Sequence, residues 1–212
     1  MRLGTYYRYL IWNKIGIRAN GPSVLDVGGF DGYWLSKQPA KTKICVDINP
    51  QEKYADVTYI KADALALPFP DEYFDQVFAF DIIEHVVNDR QLLQELHRVT
   101  KPNGQIIIST PHKHISIFPP FLTSWVSKKW GHYRVNGYLE NELKEILPEG
   151  DAATFLYLRE PFFRIFYLPL RFLWGMSNRI AKPMVRAIAY IDAIFLNGDN
   201  GHILIYITRK TL

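Results

Sequence analysis

The segment Asp26-Val27-Gly28-Gly29-Phe30-Asp31-Gly32 places an acid two residues before one glycine and six before another. Glycine lets ligand and backbone approach closely, so a glycine-bearing turn between a strand and a helix is the usual nucleotide-handling corner of an open parallel sheet. The dinucleotide fingerprint needs glycines at offsets 0, 2 and 5, whereas Gly28 and Gly32 stand four apart. Asp47, Asp63 and Asp81 each follow a further apolar run. His112, His114 and His132 invite a metal reading, but no carboxylate is spaced to complete the set, and no metal is expected. The single Cys45 excludes a disulfide framework and a cysteine-ligated zinc or iron-sulfur site within one chain.

Those residues need a scaffold, and the apolar pattern supplies one. Compact runs at 23–27, 43–48, 57–60, 74–80 and 105–110 read as buried strands, with later strands at 154–158 and 203–208. A helical stretch is expected around Tyr33 to Lys37. Leu92, Leu93, Leu96 and Val99 recur at helical spacing before Lys101-Pro102-Asn103-Gly104, a helix stop and turn. Alternating strands and helices predict an α/β, doubly wound, seven-stranded Rossmann-like sheet with helical insertions after strands five and six.

In this setting the chain resembles the class I S-adenosylmethionine-dependent methyltransferases, particularly the group that includes quinone-biosynthesis methyltransferases. Their loop reads acid-x-Gly-x-Gly-x-Gly. Asp26, Gly28 and Gly32 match it, while Phe30 replaces the middle glycine, a position that a residue of negative φ is expected to fill without strain. The stretch Ala64-Leu65-Ala66-Leu67-Pro68-Phe69-Pro70-Asp71 into Phe74-Asp75 resembles the family's approach to strand four. Asp81-Ile82-Ile83-Glu84-His85-Val86 is similar to the segment after that strand, and 96–104 to the helix and turn before strand five. The resemblance spans roughly 22–111, and 131–147 more weakly. It implies S-adenosylmethionine as cofactor, with S-adenosylhomocysteine as product, held by Asp26, Gly28, Gly29, Phe30 and Gly32 of the first loop. Asp47, followed by Ile48, would take the two ribose hydroxyls, Asp63 and Ala64 would read the adenine, and Asp81 would face the cationic methionine end.

Methyl transfer from a sulfonium is an in-line displacement, in which the donor supplies most of the chemical drive and the protein aligns the acceptor. A general base is needed only for a hydroxyl, an acidic carbon or a protonated amine. Candidates on the loops after strands four and five are Asp81, Glu84, His85, His112 and His114, with His112 and His85 the catalytic choices. The family segment implied by 131–147 places His132, Tyr133 and Arg134 beside the acceptor. Arg134 could grip a phosphate or carboxylate, or pair with Glu140 or Glu142.

The 212 residues carry a net charge of +4, unevenly spread. Residues 1–20 hold Arg2, Arg8, Lys14 and Arg18 without an acid, and 159–212 hold eight basic residues against Glu160, Asp192 and Asp199, so the central body is net acidic. The basic ends lie outside the resemblance. Residues 1–20 read as a basic aromatic helix preceding a methyltransferase domain at 21–212, within which 112–150 is an acceptor-side insertion and 161–197 a basic, apolar helical one. Pro169 and Pro183 are expected to divide the latter into short helices, the last running from Pro183 to Leu196. Arg164, Arg171, Arg179, Lys182 and Arg186 would form one stripe opposite an apolar surface. Such a segment suits a membrane interface, a lid over the active site or a homodimer contact. Its apolar density argues against nucleic acid. No run of some 18 uncharged apolar residues and no signal peptide are found, so a cytoplasmic protein, peripheral at the inner face of the membrane, is expected. The reading is a methyltransferase for a small or amphiphilic acceptor, a lipid, quinone-like molecule or glycolipid. The rival is a non-catalytic module that keeps the fold for partner or membrane-surface binding.

Overall fold

Neighbouring residues of the apolar runs belong to opposite faces of one sheet, as the two-residue period of a strand requires. Val24, Cys45, Phe78, Ile107 and Leu204 lie in one buried cluster, and Leu25, Val46, Val77, Ile106 and Ile205 in a second. The computed structural model describes residues 2–134, 137–194, 198 and 201–210. Its strands are β1 (Ser23–Val27), β2 (Thr42–Asp47), β3 (Thr58–Lys61), β4 (Phe74–Phe80), β5 (Thr100–Pro111), β6 (Ala152–Leu158) and β7 (His202–Thr208). They run in the order β3-β2-β1-β4-β5-β7-β6. Only β7 is antiparallel, pairing with β5 and β6. Strand order reverses between β1 and β4, which opens a crevice at their carboxyl ends.

The seven strands fall where the apolar runs place them, with one change at β5. The expected turn at Lys101-Pro102-Asn103-Gly104 lies inside that strand. Asn103 takes φ +62° and donates its N–H to Arg209 O at 2.8 Å, while the register against β4 shifts between Phe74 and Gln76. The turn chemistry thus makes a bulge rather than a break.

One face of the sheet is covered by α2 (Asp89–Val99) and α4 (Glu140–Lys144). The helix expected around Tyr33 to Lys37 shrinks to a 3-10 turn at Leu35–Lys37, because Pro39 biases the residue before it away from the helical region. The other face is covered instead by α1 (Leu3–Lys14), α5 (Pro161–Met176) and α6 (Asn178–Asp192). Helix α3 (Thr123–Lys129) sits in the segment after β5.

Pro169 and Pro183 do not divide the insertion; they lie inside α5 and α6, and the chain breaks at Ser177. Both prolines are exposed, as are Ile165 and Arg179 four residues earlier, so the carbonyls that lose a helical donor face water and the interruption is tolerated. The expected end of the last helix at Leu196 lies outside the described residues.

Helix α1 buries Leu3, Tyr6, Tyr7, Ile11 and Trp12, spacings that put them on one face. Tyr7 stacks on Phe163, ring centroids 3.7 Å apart, and its hydroxyl donates to Asp192 Oδ2 at 2.7 Å. Asp192 also accepts the backbone N–H groups of Phe162 (2.9 Å) and Phe163 (3.0 Å). One buried carboxylate of α6 therefore caps the first turn of α5 and anchors α1. Tyr7→Phe keeps the stack and removes the bond to Asp192. A loss of about 1–2 kcal/mol in urea unfolding is expected, and an unchanged midpoint would mean that the bond contributes nothing.

Candidate active site

The carboxyl ends of β1, β2, β3 and β4 carry the loops that sequence reasoning singled out. After β1, Gly28 turns at φ +78° and its N–H donates to Val46 O at 2.7 Å. Gly29 has no room for a side chain, since a Cβ there would stand 2.6 Å from Asp26 Oδ2 and 2.8 Å from Cys45 Sγ. Phe30 corrects the expectation of a negative φ: it stands at φ +50°, a left-handed conformation costing an L-residue about 1–2 kcal/mol. Its N–H donates to Asp47 Oδ2 at 3.2 Å, and the Arg2 guanidinium lies over its ring, 3.8 Å from the centroid. These contacts hold the strained turn in place. Gly32, at φ +64°, packs under Tyr59 and lines neither cavity described below.

Asp47 Oδ1 also accepts the Asn49 N–H at 2.8 Å, leaving each oxygen a second lone pair. Asp63 Oδ1 accepts Leu65 N–H at 2.9 Å, closing the turn after β3. Asp47, Ile48, Asp63 and Ala64 line a cavity of about 230 Å³, together with Gly28, His85 and Tyr133.

A larger cavity of about 590 Å³ adjoins it, sharing Gly28 and His85. Its floor includes Asp26, Gly29, Phe30 and Asp81, and its roof includes residues of α1, α3 and α5. Burial, and then the charges of Asp47 and Asp31, push the Asp26 carboxyl up to about 8.

Asp81, at φ +50°, donates its N–H to Ser109 O at 2.9 Å and accepts Ser109 Oγ at 2.6 Å. It forms an ion pair with Arg8 of α1 and stands 3.6 Å from His202 Nε2. Burial alone would raise its carboxyl; Arg8 and His202 outweigh burial and hold it below the usual range. His202 Nδ1 lies 3.0 Å from Glu160 Oε2, to which Arg164 donates at 2.6 Å. Burial of Glu160 is likewise outweighed by His202 and Arg164, so it too is held low. Arg8, Glu160, Arg164 and His202 thus form the buried polar wall of the larger cavity, and sequence reasoning assigned none of them to it. The Glu160/Arg164 pair was readable, as an i, i+4 pair around the proline that opens α5. Arg8 and His202 had no local signal.

Glu84 and His85 occupy a 3-10 turn, Ile83–His85, after β4. The Glu84 carbonyl accepts the N–H groups of Tyr133 (2.9 Å) and Arg134 (3.2 Å), which draws the 131–134 loop over this turn. His132 therefore meets His85 edge to face, centroids 4.5 Å apart. Burial lowers both imidazoles, His132 to about 4 with His85 a second cause. Burial, and then Asp81, raises the Glu84 carboxyl well above its ordinary value.

Besides Gly32, three expected site residues lie elsewhere than expected. His112 is buried outside both cavities, its ring near His114 and Tyr157. The alternation of β5 leaves Pro111 facing the larger cavity, so His112 is not placed to act as its base. Arg134 pairs with Glu142 at 3.2 Å and lies over the Tyr138 ring, so its charge is committed to the surface rather than to an acceptor. Tyr133 lines the smaller cavity, not the larger.

A seven-stranded sheet of this order with paired cavities at the β1/β4 switch point defines the class I methyltransferase fold. Residues 25–108 match the family model described as "Methyltransferase domain". An uncharacterized methyltransferase of Mycobacteroides abscessus is 33% identical over 113 residues, 47% of this chain and 44% of that protein. The ubiquinone/menaquinone biosynthesis C-methyltransferase of Hahella chejuensis is 33% identical over 113 residues, 45% of each chain. The chain thus spans less than half the length of these curated relatives. The crystal structure of an S-adenosylmethionine-dependent methyltransferase from Thermotoga maritima aligns with a TM-score of 0.61 and 18% identity, over 98% of this chain and 91% of that one.

Proposed function

We propose that the chain transfers the methyl group of S-adenosylmethionine to a small or amphiphilic acceptor. The observation that carries this reading is the pair of cavities meeting at Gly28 and His85. The smaller suits an adenosine, with the free lone pairs of Asp47 on the ribose hydroxyls and Asp63 and Ala64 beside the base. The methionine end would pass Gly28 and Gly29 towards Asp26 and Asp81, whose carboxylates suit its positive charges. The acceptor would enter the larger cavity, and holding it in line with the sulfonium would supply most of the catalysis. His85, kept neutral by burial, is placed to take a proton if the acceptor is a hydroxyl or an amine.

Calorimetry with S-adenosylhomocysteine tests the reading. Asp47→Ala is expected to weaken binding by roughly 10- to 100-fold, the worth of one hydrogen bond to a charged group. The binding-module rival draws on Arg8, which already pairs with Asp81. Absence of binding to the folded wild type would leave that rival standing and overturn the enzyme.

The amphiphilic part of the proposal rests on the outer surface of the cavity roof. Most of the basic stripe of the insertion turns inward: Arg164 meets Glu160, Arg186 donates to Tyr6 and Lys182 lies over the Tyr6 ring. A second set of apolar side chains on this roof faces out, with Phe121 80%, Phe172 69% and Met176 70% exposed, alongside Trp125, Ile180 and Met184. Lys128, Lys129 and Arg179 lie among them in the chain, a mixture that suits an anionic lipid surface. No helix among the described residues is long and apolar enough to cross a membrane, so contact would be peripheral. The naming of the Hahella chejuensis relative for ubiquinone and menaquinone biosynthesis supports an acceptor of this kind. The double substitution Phe172→Ser with Met176→Ser should reduce flotation with anionic liposomes severalfold; equal flotation would remove the membrane from the proposal.

A further inference from the structure

Glu84, His85 and His132 each offer a ligand atom, and these atoms lie within 4.8 Å of one another. The sequence pairs His132 with His112 and His114 only by type. The fold instead carries His132 to a carboxylate and a second imidazole, through the two backbone bonds on the Glu84 carbonyl.

The details suit a cation. His85 Nδ1 lies 3.3 Å from Gly131 O; donating there puts the proton on Nδ1 and leaves the Nε2 lone pair free, the arrangement that orients metal-bound histidines. Glu84 is 1% exposed, and Oε2 accepts Thr110 Oγ1 at 3.2 Å. Among the described residues no lysine, arginine or histidine forms an ion pair with it, whereas its neighbours Asp81 and Glu160 both have cationic partners. Arg8 acts on Glu84 only from a distance and is itself paired with Asp81; a buried carboxyl aimed into a cavity without a directly paired cation is what a bound metal ion would complete.

We propose that Glu84, His85 and His132 bind one divalent cation of the zinc class at the edge of the larger cavity, where it meets the smaller. Two imidazoles and a carboxylate suit Zn²⁺, and three protein ligands leave a position open, as in catalytic rather than structural sites. Bonds of about 2.0–2.1 Å require the ligand atoms to close in by about 1 Å, a rotation of side chains rather than a refolding of loops. The open position faces the space assigned above to the acceptor, so the ligand class is an oxygen-bearing acceptor, a hydroxyl or enol whose oxygen the cation would hold and acidify. With the cation bound, the Nε2 lone pair of His85 is taken and the cation replaces His85 as the group that prepares the acceptor oxygen. That last step rests on the methyl-transfer reading; the cation site does not.

The test is a cobalt titration of the chelator-treated full chain without cofactor, followed by its visible ligand-field absorption, with Zn²⁺ as competitor. One equivalent is expected to bind, displaced by Zn²⁺. His132→Ala, on a loop, and Glu84→Gln should each weaken affinity at least tenfold, while His97→Ala, remote from the site, should not. Circular dichroism confirms that each variant is folded. Failure of the folded wild type to bind one equivalent, or an unchanged affinity in His132→Ala, overturns the proposal. Calorimetry with S-adenosylhomocysteine reads the cofactor separately, so the two readings can fail independently.

Discussion

Between pH 4 and pH 8 the ligand-free chain should lose stability through Asp26, and Asp26→Asn should abolish that part of the loss. The folded carboxyl is raised from 3.8 to about 8, by burial first and then by Asp47 and Asp31. In this window the folded state holds a proton that the unfolded state has released. The stabilisation is complete below the unfolded value and disappears as pH rises through the folded one. With about 1.4 kcal/mol for every tenfold change in proton affinity, the full effect is on the order of 5 kcal/mol. Asp81 and Glu160, whose values are lowered, contribute in the opposite direction, so the difference between wild type and Asp26→Asn isolates Asp26. Thermal melts from pH 5 to pH 9 should show the variant gaining on the wild type as pH rises; parallel curves would rule the effect out. A cationic ligand beside Asp26 should also expel its proton. S-adenosylmethionine binding at pH 7 should therefore release protons, seen as a buffer-dependent heat that Asp26→Asn reduces.

Removing the charge of Arg8 should cost about 3 kcal/mol, the lower end of the penalty for breaking one side of a buried ion pair, since Asp81 is buried but Arg8 only partly so. Arg8 is the cation against Asp81, and Glu84 and Glu160 lie close enough for their charges to act on it. Arg8→Met keeps the apolar stem and leaves those acids uncompensated. Urea unfolding followed by the fluorescence of Trp12 and Trp34 measures the loss. The double variant Arg8→Met with Asp81→Leu should recover the part of it due to Asp81, the largest charge acting on Arg8, since that carboxylate is then no longer stranded. A double variant as unstable as the sum of the singles would show that the two residues act separately.

The strands were legible because a parallel sheet buries both faces and writes itself as compact apolar runs, each stopped by an acid, glycine or proline. The turn proposed to hold the cofactor was legible as a glycine-bearing corner because Asp26, Gly28 and Asp47 are held at intervals fixed by β1 and β2. Residues brought together over distance were not. Arg8 is counted in the sequence as one charge of a basic end, and nothing near it says that its partner is Asp81. His132 reaches His85 only because two backbone groups meet the Glu84 carbonyl. His112 looked catalytic because it follows β5, but one residue of strand alternation decides which way it turns. The prolines of α5 and α6 misled because a helix tolerates them where the freed carbonyl meets water.

Helix α1 covers the part of the sheet where the stretch after β1 supplies only a 3-10 turn, and it does so by packing on α5 and α6. Tyr7 and Asp192 are separated by 185 positions. During synthesis α1 emerges before β1 to β5, and its partners α5 and α6 only after them. Val24, Cys45, Phe78 and Ile107 therefore remain without their cover until α6 has been made. Contacts of such long sequence separation slow folding and prolong the exposure of apolar surface. The nascent chain should thus be a strong client for chaperones that hold unfinished sheets. Ribosome-stalled chains ending just before residue 161 should stay protease-sensitive even though β1 to β6 and the glycine-bearing turn after β1 have already been made.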